Sequence, residues 1–379
     1  MATPRHRSSA SPLAWAYAAL VLYASLYPFN NWRWPPGQRF ETLAALRWSQ
    51  YHIAFDIASN LLGYLPLGAL LLFAARRSYL RWASALSLAV LAPAALSYGT
   101  EVLQNFLPDR VPAIEDLLMN SAGALAGALL ATVALLTGLV DRWHALRERW
   151  FASESAGALA LLALWPVALL FPAPLPLGLG QISRRLREWL AEASAEVPWA
   201  VDVHALLAAQ PPAAAPLRPL IEMLIVALGL LAPCLVAYAV MSPGWRRVAM
   251  AAGALALGVA GMTLSTLLNF GPVHALAWVG PGTLTALAVG LAAALALAPL
   301  PRRVVTGVAL VVLTGLVVGV AQAPDDPYFA QSLKAWEQGR FVRFHGLAQW
   351  VGWLWPYLAM VWLLTRLGGG GGVKSESEQ

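Results

Sequence analysis

The side chains that could do chemistry are concentrated in the first 150 residues. Three carboxylates, Asp56, Glu101 and Asp116, stand inside otherwise apolar runs beside the amides Asn60, Gln104 and Asn120, with His52 ahead of them and Asp109, Arg110 and Glu115 in the intervening stretch. His52, Asp56, Asn60 and Gly63 are spaced by four, four and three residues, and Asp116, Asn120, Gly123 and Gly127 by four, three and four. Each set forms one stripe of a helix, and Ser97, Glu101 and Gln104 make a third. A charge at the centre of a bilayer costs at least ~2.5–3.5 kcal/mol, so such stripes face a protein interior or a wet cavity. Arg110 suits a phosphate or carboxylate, and Asn60, Gln104 and Asn120 suit hydrogen-bond donation. A carboxylate held protonated by burial and a like-charged neighbour would serve as an acid, with another as base. Asp56, Glu101 and Asp116 are therefore the catalytic candidates, and Asn60, Gln104, Arg110 and Asn120 the binding candidates.

The elements that position these residues follow from composition. Of 379 residues, 59% are apolar and only 12% charged, about half the charge of a soluble domain, and the mean hydropathy of +0.62 agrees. The lone cysteine, Cys234, excludes an intrachain disulfide framework. The expected fold is all-α, a polytopic integral membrane helix bundle of about ten spans. Apolar runs place these at 12–29, 52–75, 82–106, 113–140, 155–171, 219–241, 247–269, 280–299, 304–322 and 347–367. Pro66 and Pro93 lie deeper than the polar stripes on spans two and three, where kinks would splay the helices into a cup facing outward.

An even number of spans leaves both termini on one side. With that side cytoplasmic, 14 of the 25 Lys and Arg fall inside, mostly in short turns such as Arg76-Arg77 and Arg302-Arg303, the loops that weigh most in the positive-inside rule. This also accounts for the net charge of +6 without nucleic acid. Residues 172–218 and 323–346 are too long for turns and are expected outside. The first contains Ile182, Leu186, Leu190, Ala193 and Val197 at helical spacing between charged residues, a pattern for a helix on the outer leaflet or one packed over the bundle mouth. Its flanks, at Pro172, Pro174 and Pro176 and at Pro211, Pro212 and Pro216, read as linkers. The division expected is 1–150, a four-span domain; 151–367, a six-span membrane domain; and 368–379, a disordered tail.

The run from Asp56 through Asn60 to Pro66-Leu-Gly68, followed by Glu101-Val-Leu-Gln104, Pro108-Asp-Arg110 and Asp116-Leu-Leu-Met-Asn120-Ser-Ala-Gly123, resembles the VanZ-like family, named for a teicoplanin-resistance membrane protein. Leu26-Tyr27-Pro28-Phe29 with Trp32 is similar to the end of the first span in that family, and the likeness covers residues 12–140. It implies Asp56, Asn60, Glu101, Gln104, Arg110, Asp116 and Asn120 as motif positions and no particular reaction. Gly63-Tyr64 departs from the family pattern, where Phe often precedes the Leu-Pro-Leu-Gly segment.

The six histidines form no paired metal motif, and neither a nucleophile elbow nor a Walker loop is present, so no cofactor and no metal are expected. The leading expectation is a bacterial inner-membrane protein whose polar cup binds or modifies an envelope amphiphile: a lipid-linked wall precursor, a phospholipid or a lipoglycopeptide. A proton-coupled transporter is the rival, although its relay would sit near the midplane and between repeats. A structural, partner-binding role is the third reading. The topology has a direct consequence: a Gly339→Cys variant should label from outside intact cells and a Ser377→Cys variant should not, and the reverse pattern inverts the arrangement.

Overall fold

The computed structural model describes residues 10–26, 29, 31–37, 39–48, 54–108, 110–152, 154–195, 197–208, 217–323 and 342–368. His52, Asp109, most of the second expected outer segment and the tail lie outside the described residues, as does the Asp56 side chain. The chain is all-helical, with no strand among the described residues. Among the described residues seven helices are long and apolar enough to cross a membrane, and three more, Ala10–Leu26, Ala156–Ala168 and Thr283–Leu297, are apolar but shorter. Together they occupy the ten expected positions. At ~1.5 Å per residue the 13 residues of Ala156–Ala168 extend only ~20 Å, against a hydrocarbon core of ~30 Å. The chain forms two compact units, Met1–Ala145 and Leu146–Gln379.

In the first unit, α1 (Ala10–Leu26), a short α2 (Phe40–Ala44), α3 (Ala54–Arg77), α4 (Trp82–Gln104) and α5 (Ile114–Leu136) precede α6 (Leu139–Trp150), which crosses the boundary between units. The closest packing joins α3 and α5, and glycine makes it so. A Cβ at Gly123 would overlap the Leu61 carbonyl, one at Gly127 the Leu65 carbonyl, and one at Gly68 the Ala124 carbonyl. Leu61 meets Gly123 and Leu65 meets Gly127, so the two helices run in the same direction with their backbones touching. Small residues at such spacing permit close approach where lipid offers no hydrophobic drive for association. Below the polar residues, Ala85 and Ala89 of α4 pack with Leu72, Ala128 and Ala131, and α1 adds Val21 against Tyr64, Leu67 and Ala124.

The second unit contains α7 (Ala156–Ala168), α8 (Ile182–Ser194), α9 (Val201–Ala208), α10 (Pro219–Tyr238), α11 (Trp245–Phe270), α12 (Thr283–Leu297), α13 (Arg302–Ala321) and α14 (Val342–Gly368). Its core surrounds α10, whose residues from Ile225 to Tyr238 are nearly all buried. The proline-rich stretch after α7 corrects the sequence reading. Instead of an exposed linker, Phe171, Leu177 and Leu179 are buried as irregular chain, and Leu177 lies over Gly229 of α10 in a left-handed conformation, φ 59°. Non-helical backbone at membrane depth needs protein partners. Ser265 and Asn269 of α11 supply them, donating to the Leu170 carbonyl at 3.0 and 3.2 Å, while Gly180 N–H donates to Gly352 O and Tyr357 donates to Gly180 O.

Arg247 departs from the loop-charge reading as well. It is fully buried and donates to the carbonyls of Ala298, Leu300, Tyr238 and Met241 at 2.6–2.9 Å. One cation thereby ties off the carboxyl ends of α10 and α12, where the helix dipole favours positive charge. Arg302 donates to Met241 O and Ser242 Oγ in the same corner.

The glycine contact yields a paired test. Gly127→Leu should cost about 3 kcal/mol, the upper end of the usual overpacking range. Gly63→Ala, whose added methyl meets nothing within 4 Å, should be neutral or slightly stabilising. Thermal unfolding in detergent reads both, and equal effects would contradict the backbone contact.

Candidate functional site

The polar stripes of α3, α4 and α5 meet near the end of the unit where α4 stops and α5 begins. Asn60 Nδ2 donates to Asp116 Oδ1 at 2.5 Å, joining α3 to α5. Asn120 Nδ2 donates to Ser97 Oγ at 2.9 Å, joining α5 to α4. Gln104 Nε2 donates to the Ser25 carbonyl at 2.9 Å, joining α4 to the end of α1. Glu101 Oε2 accepts from the Ala113 N–H at 3.1 Å, and Ala113 is the N-cap residue of α5. A carboxylate from one helix thus caps the next, and Asp116 lies in the first turn of that same α5. Both negative groups sit where the dipole of α5 favours them, which accounts physically for acids at this depth.

The layer is buried on its α4 side, while Asn60 and Asp116 are half-buried. Ser97, Thr100, Glu101, Gln104 and Asn120 are each no more than 4% exposed. A cap formed by residues 31–37 and 39–48 ties down the last turn of α4 and the start of α5: Arg33 N–H donates to Phe106 O, Ile114 N–H to Arg47 O, Asn105 Nδ2 to Leu43 O and Tyr98 to Ala44 O. Trp34 packs its ring on Phe106 at 5.3 Å between centroids, and Leu43 is buried. Pro66 and Pro93 are accommodated inside continuous helices, and the α3–α5 backbone contact leaves no splay between those two. The expected open cup is therefore replaced by a polar layer, buried on its α4 side, beneath a cap.

Among the predicted residues the structure brings together Asn60, Glu101, Gln104, Asp116 and Asn120. Arg110 is half-buried in the turn itself, its N–H donating to Leu107 O at 3.1 Å, and Asp56 is one turn before Asn60 on α3. Tyr64 is the residue the stripe reading missed. Its hydroxyl is buried beside Ser97 and Thr100 and within electrostatic reach of both Glu101 and Asp116, but completes no hydrogen bond, and neither does the buried Asn120 Oδ1. The signal was present in the sequence, since Tyr64 is four residues beyond Asn60 and so shares its stripe. In the second unit, Thr263, Ser265 and Asn269 serve local partners, with Trp278 Nε1 donating to Thr263 Oγ1 at 3.1 Å.

An all-helical chain of long apolar helices with a polar layer buried among three of them is a polytopic membrane protein. Residues 9–136 match the family model described as VanZ/LLP1, and this part of the chain is a VanZ-like domain. No curated protein and no solved structure matches the chain.

The capping role of Glu101 is open to direct measurement. Glu101→Ala strands the Ala113 N–H in a buried place and should cost about 1–3 kcal/mol, whereas Glu101→Gln, which keeps an acceptor, should cost less than half as much. Equal melting temperatures for the two variants would exclude the cap.

Proposed function

We propose that the VanZ-like unit holds the polar head of an envelope amphiphile in this layer, as part of a multi-pass protein of the bacterial inner membrane. The amphiphile is a lipid-linked wall precursor, a phospholipid or a lipoglycopeptide, and the activity contributes to resistance to teicoplanin-type glycopeptides. Both termini are cytoplasmic in this reading, which puts the layer toward the outer leaflet. The observation that carries it is that two buried groups without a partner, Tyr64 Oη and Asn120 Oδ1, lie in one layer with the carboxylates Glu101 and Asp116. Buried polar atoms without partners cost about 1–3 kcal/mol each, and a ligand group that donates a hydrogen bond recovers that cost. The layer suits a donor such as a hydroxyl or amine, because Asn60, Gln104 and Asn120 already spend N–H groups on Asp116, Ser25 and Ser97. The head group enters when the cap of residues 31–37 and 39–48 lifts, and Arg110 in the turn meets a phosphate or carboxylate on the same ligand. Asp56, Glu101 and Asp116 stay the candidates for any acid–base step.

The cross-helix bonds also favour a second reading, in which the layer only fastens α1, α3, α4 and α5 together. The two readings part at Tyr64. Tyr64→Phe removes a hydroxyl that lies close to Ser97 and Thr100 without a hydrogen bond of full geometry, so its melting temperature in detergent should change little. Under the proposal the variant should nevertheless lose lipids that co-purify with the wild type and fail to restore teicoplanin tolerance to complemented cells, with Asp116→Asn losing them too. Unchanged lipid content and unchanged tolerance in both variants would leave the layer a fastening.

A further inference from the structure

Outside the polar layer, the second unit carries an apolar surface that its described helices do not cover. The α8 and α9 helices form a hairpin, joined through the 3-10 turn Pro198–Ala200. Arg187 reaches from α8 to the end of α9, donating to the carbonyls of Leu206 and Leu207 at 3.1 and 3.2 Å, and the His204 ring lies 2.8 Å from the Ala191 carbonyl. These contacts hold the hairpin as one piece. The packing turns Leu186, Leu190 and Leu206 outward at 47%, 48% and 72% exposure, and Trp199 in the turn is 85% exposed.

A second observation gives the level at which the hairpin sits. Trp189 of α8 stacks on Trp350 of α14 at 5.6 Å, Trp350 meets Trp353 edge-on at 5.5 Å, and Trp353 meets Phe171 at 6.2 Å. Trp350 and Trp353 are the fifth and eighth residues of the 22-residue membrane-spanning stretch Gly346–Leu367. Aromatic rings collected at the end of a span mark the headgroup region of a bilayer. The hairpin is therefore moored at headgroup level, and apolar side chains exposed there meet lipid.

We infer that the α8–α9 hairpin is a membrane-surface element, embedded by Leu186, Leu190, Trp199 and Leu206 in the boundary between head groups and acyl chains of the leaflet on its side. Its charge selects the kind of lipid contact. Residues 182–208 contain Arg184, Arg185 and Arg187 against Glu188, Glu192, Glu196 and Asp202, so no net positive charge draws the hairpin to anionic lipid. The partner is the apolar boundary of the leaflet itself, whatever its head groups. An amphipathic helix lacking electrostatic attraction binds through buried apolar area, and that attachment is insensitive to salt.

The full-length protein in proteoliposomes tests this. The one native thiol, Cys234, is buried and is replaced by alanine. Single cysteines are then introduced as Leu190→Cys, Leu206→Cys and, on the exposed polar side of α8, Glu192→Cys, each carrying an environment-sensitive fluorophore. Brominated lipids should quench the labels at 190 and 206 severalfold more than the label at 192, and aqueous iodide should show the opposite order. The lipid quenching should persist when phosphatidylglycerol replaces half of the phosphatidylcholine and when salt rises from ~0.1 to ~1 M, where the Debye length shrinks from ~10 to ~3 Å. Labels at 190 and 206 that iodide reaches as readily as the one at 192 would place the face in water and overturn the inference. Protection from both quenchers would show a protein covering the face, and loss of lipid quenching at high salt would show an electrostatic attachment; either result also overturns it.

Discussion

The first unit depends on two helix backbones being allowed to touch. In water, α3 and α5 would be pressed together by exclusion of their apolar faces, but lipid chains are as apolar as leucine and supply no such force. What remains is dispersion and hydrogen bonding at short range, and Gly68, Gly123 and Gly127 permit it by leaving no Cβ between the helices. The same contact sets the register of everything above it. With Leu61 against Gly123, Asn60 is within reach of Asp116, and with Gly68 against Ala124 the Tyr64 ring packs beside Leu67 and Ala124. The α4 helix completes the layer by offering Ser97 to Asn120 and Glu101 to the start of α5.

The two units meet the cost of polar atoms in an apolar surrounding by different means. In the second, nearly every buried polar group serves the backbone: Arg247 closes the carbonyl ends of two helices, and Ser265 and Asn269 satisfy the irregular chain that follows α7. These residues make a short helix and a buried coil tolerable. In the first, Asn60 bonds to Asp116 and Asn120 to Ser97, side chain to side chain across helices. Both units leave buried polar atoms without a partner, Tyr64 Oη and Asn120 Oδ1 in the first and Ser155 Oγ, Trp165 Nε1, Arg247 Nε and Asn269 Oδ1 in the second. What sets the first unit apart is that its two lie in one layer with Glu101 and Asp116, and this directs the functional reading there.

The carboxylates themselves have a dual character. Glu101 and Asp116 gain from the amino end of α5, so their presence is compatible with stability as well as with chemistry. The stretch before α3 is bonded to the turn that carries Arg110 and precedes α5, through Arg33 to Phe106, Arg47 to Ile114 and Leu43 to Asn105.

Much of this was legible in the sequence, because in a membrane protein the solvent is written into composition. Runs of apolar residues specified ten helical positions, and intervals of three and four specified which residues of α3, α4 and α5 share a face. Gly123-x-x-x-Gly127 announced a close neighbour, and the spaced polar residues pointed to the family that residues 9–136 match. Spacing speaks only within one helix, however, and depth and exposure are properties of several. That the stripes meet in one layer under a cap was decided by the packing of α3 on α5 and by hydrogen bonds from residues 31–37 and 39–48, none of which has a local signature. The place of Tyr64 on the Asn60 stripe was legible, but its surroundings were not, and Arg247 stands at a helix start like a turn charge; the groups around both are distant in sequence, Ser97 and Thr100 near one and Ala298 and Leu300 accepting from the other. The proline-rich stretch at 172–176 looked like a linker for the same reason: whether irregular chain lies in water or in a core depends on what covers it, and only the tertiary structure supplies the cover.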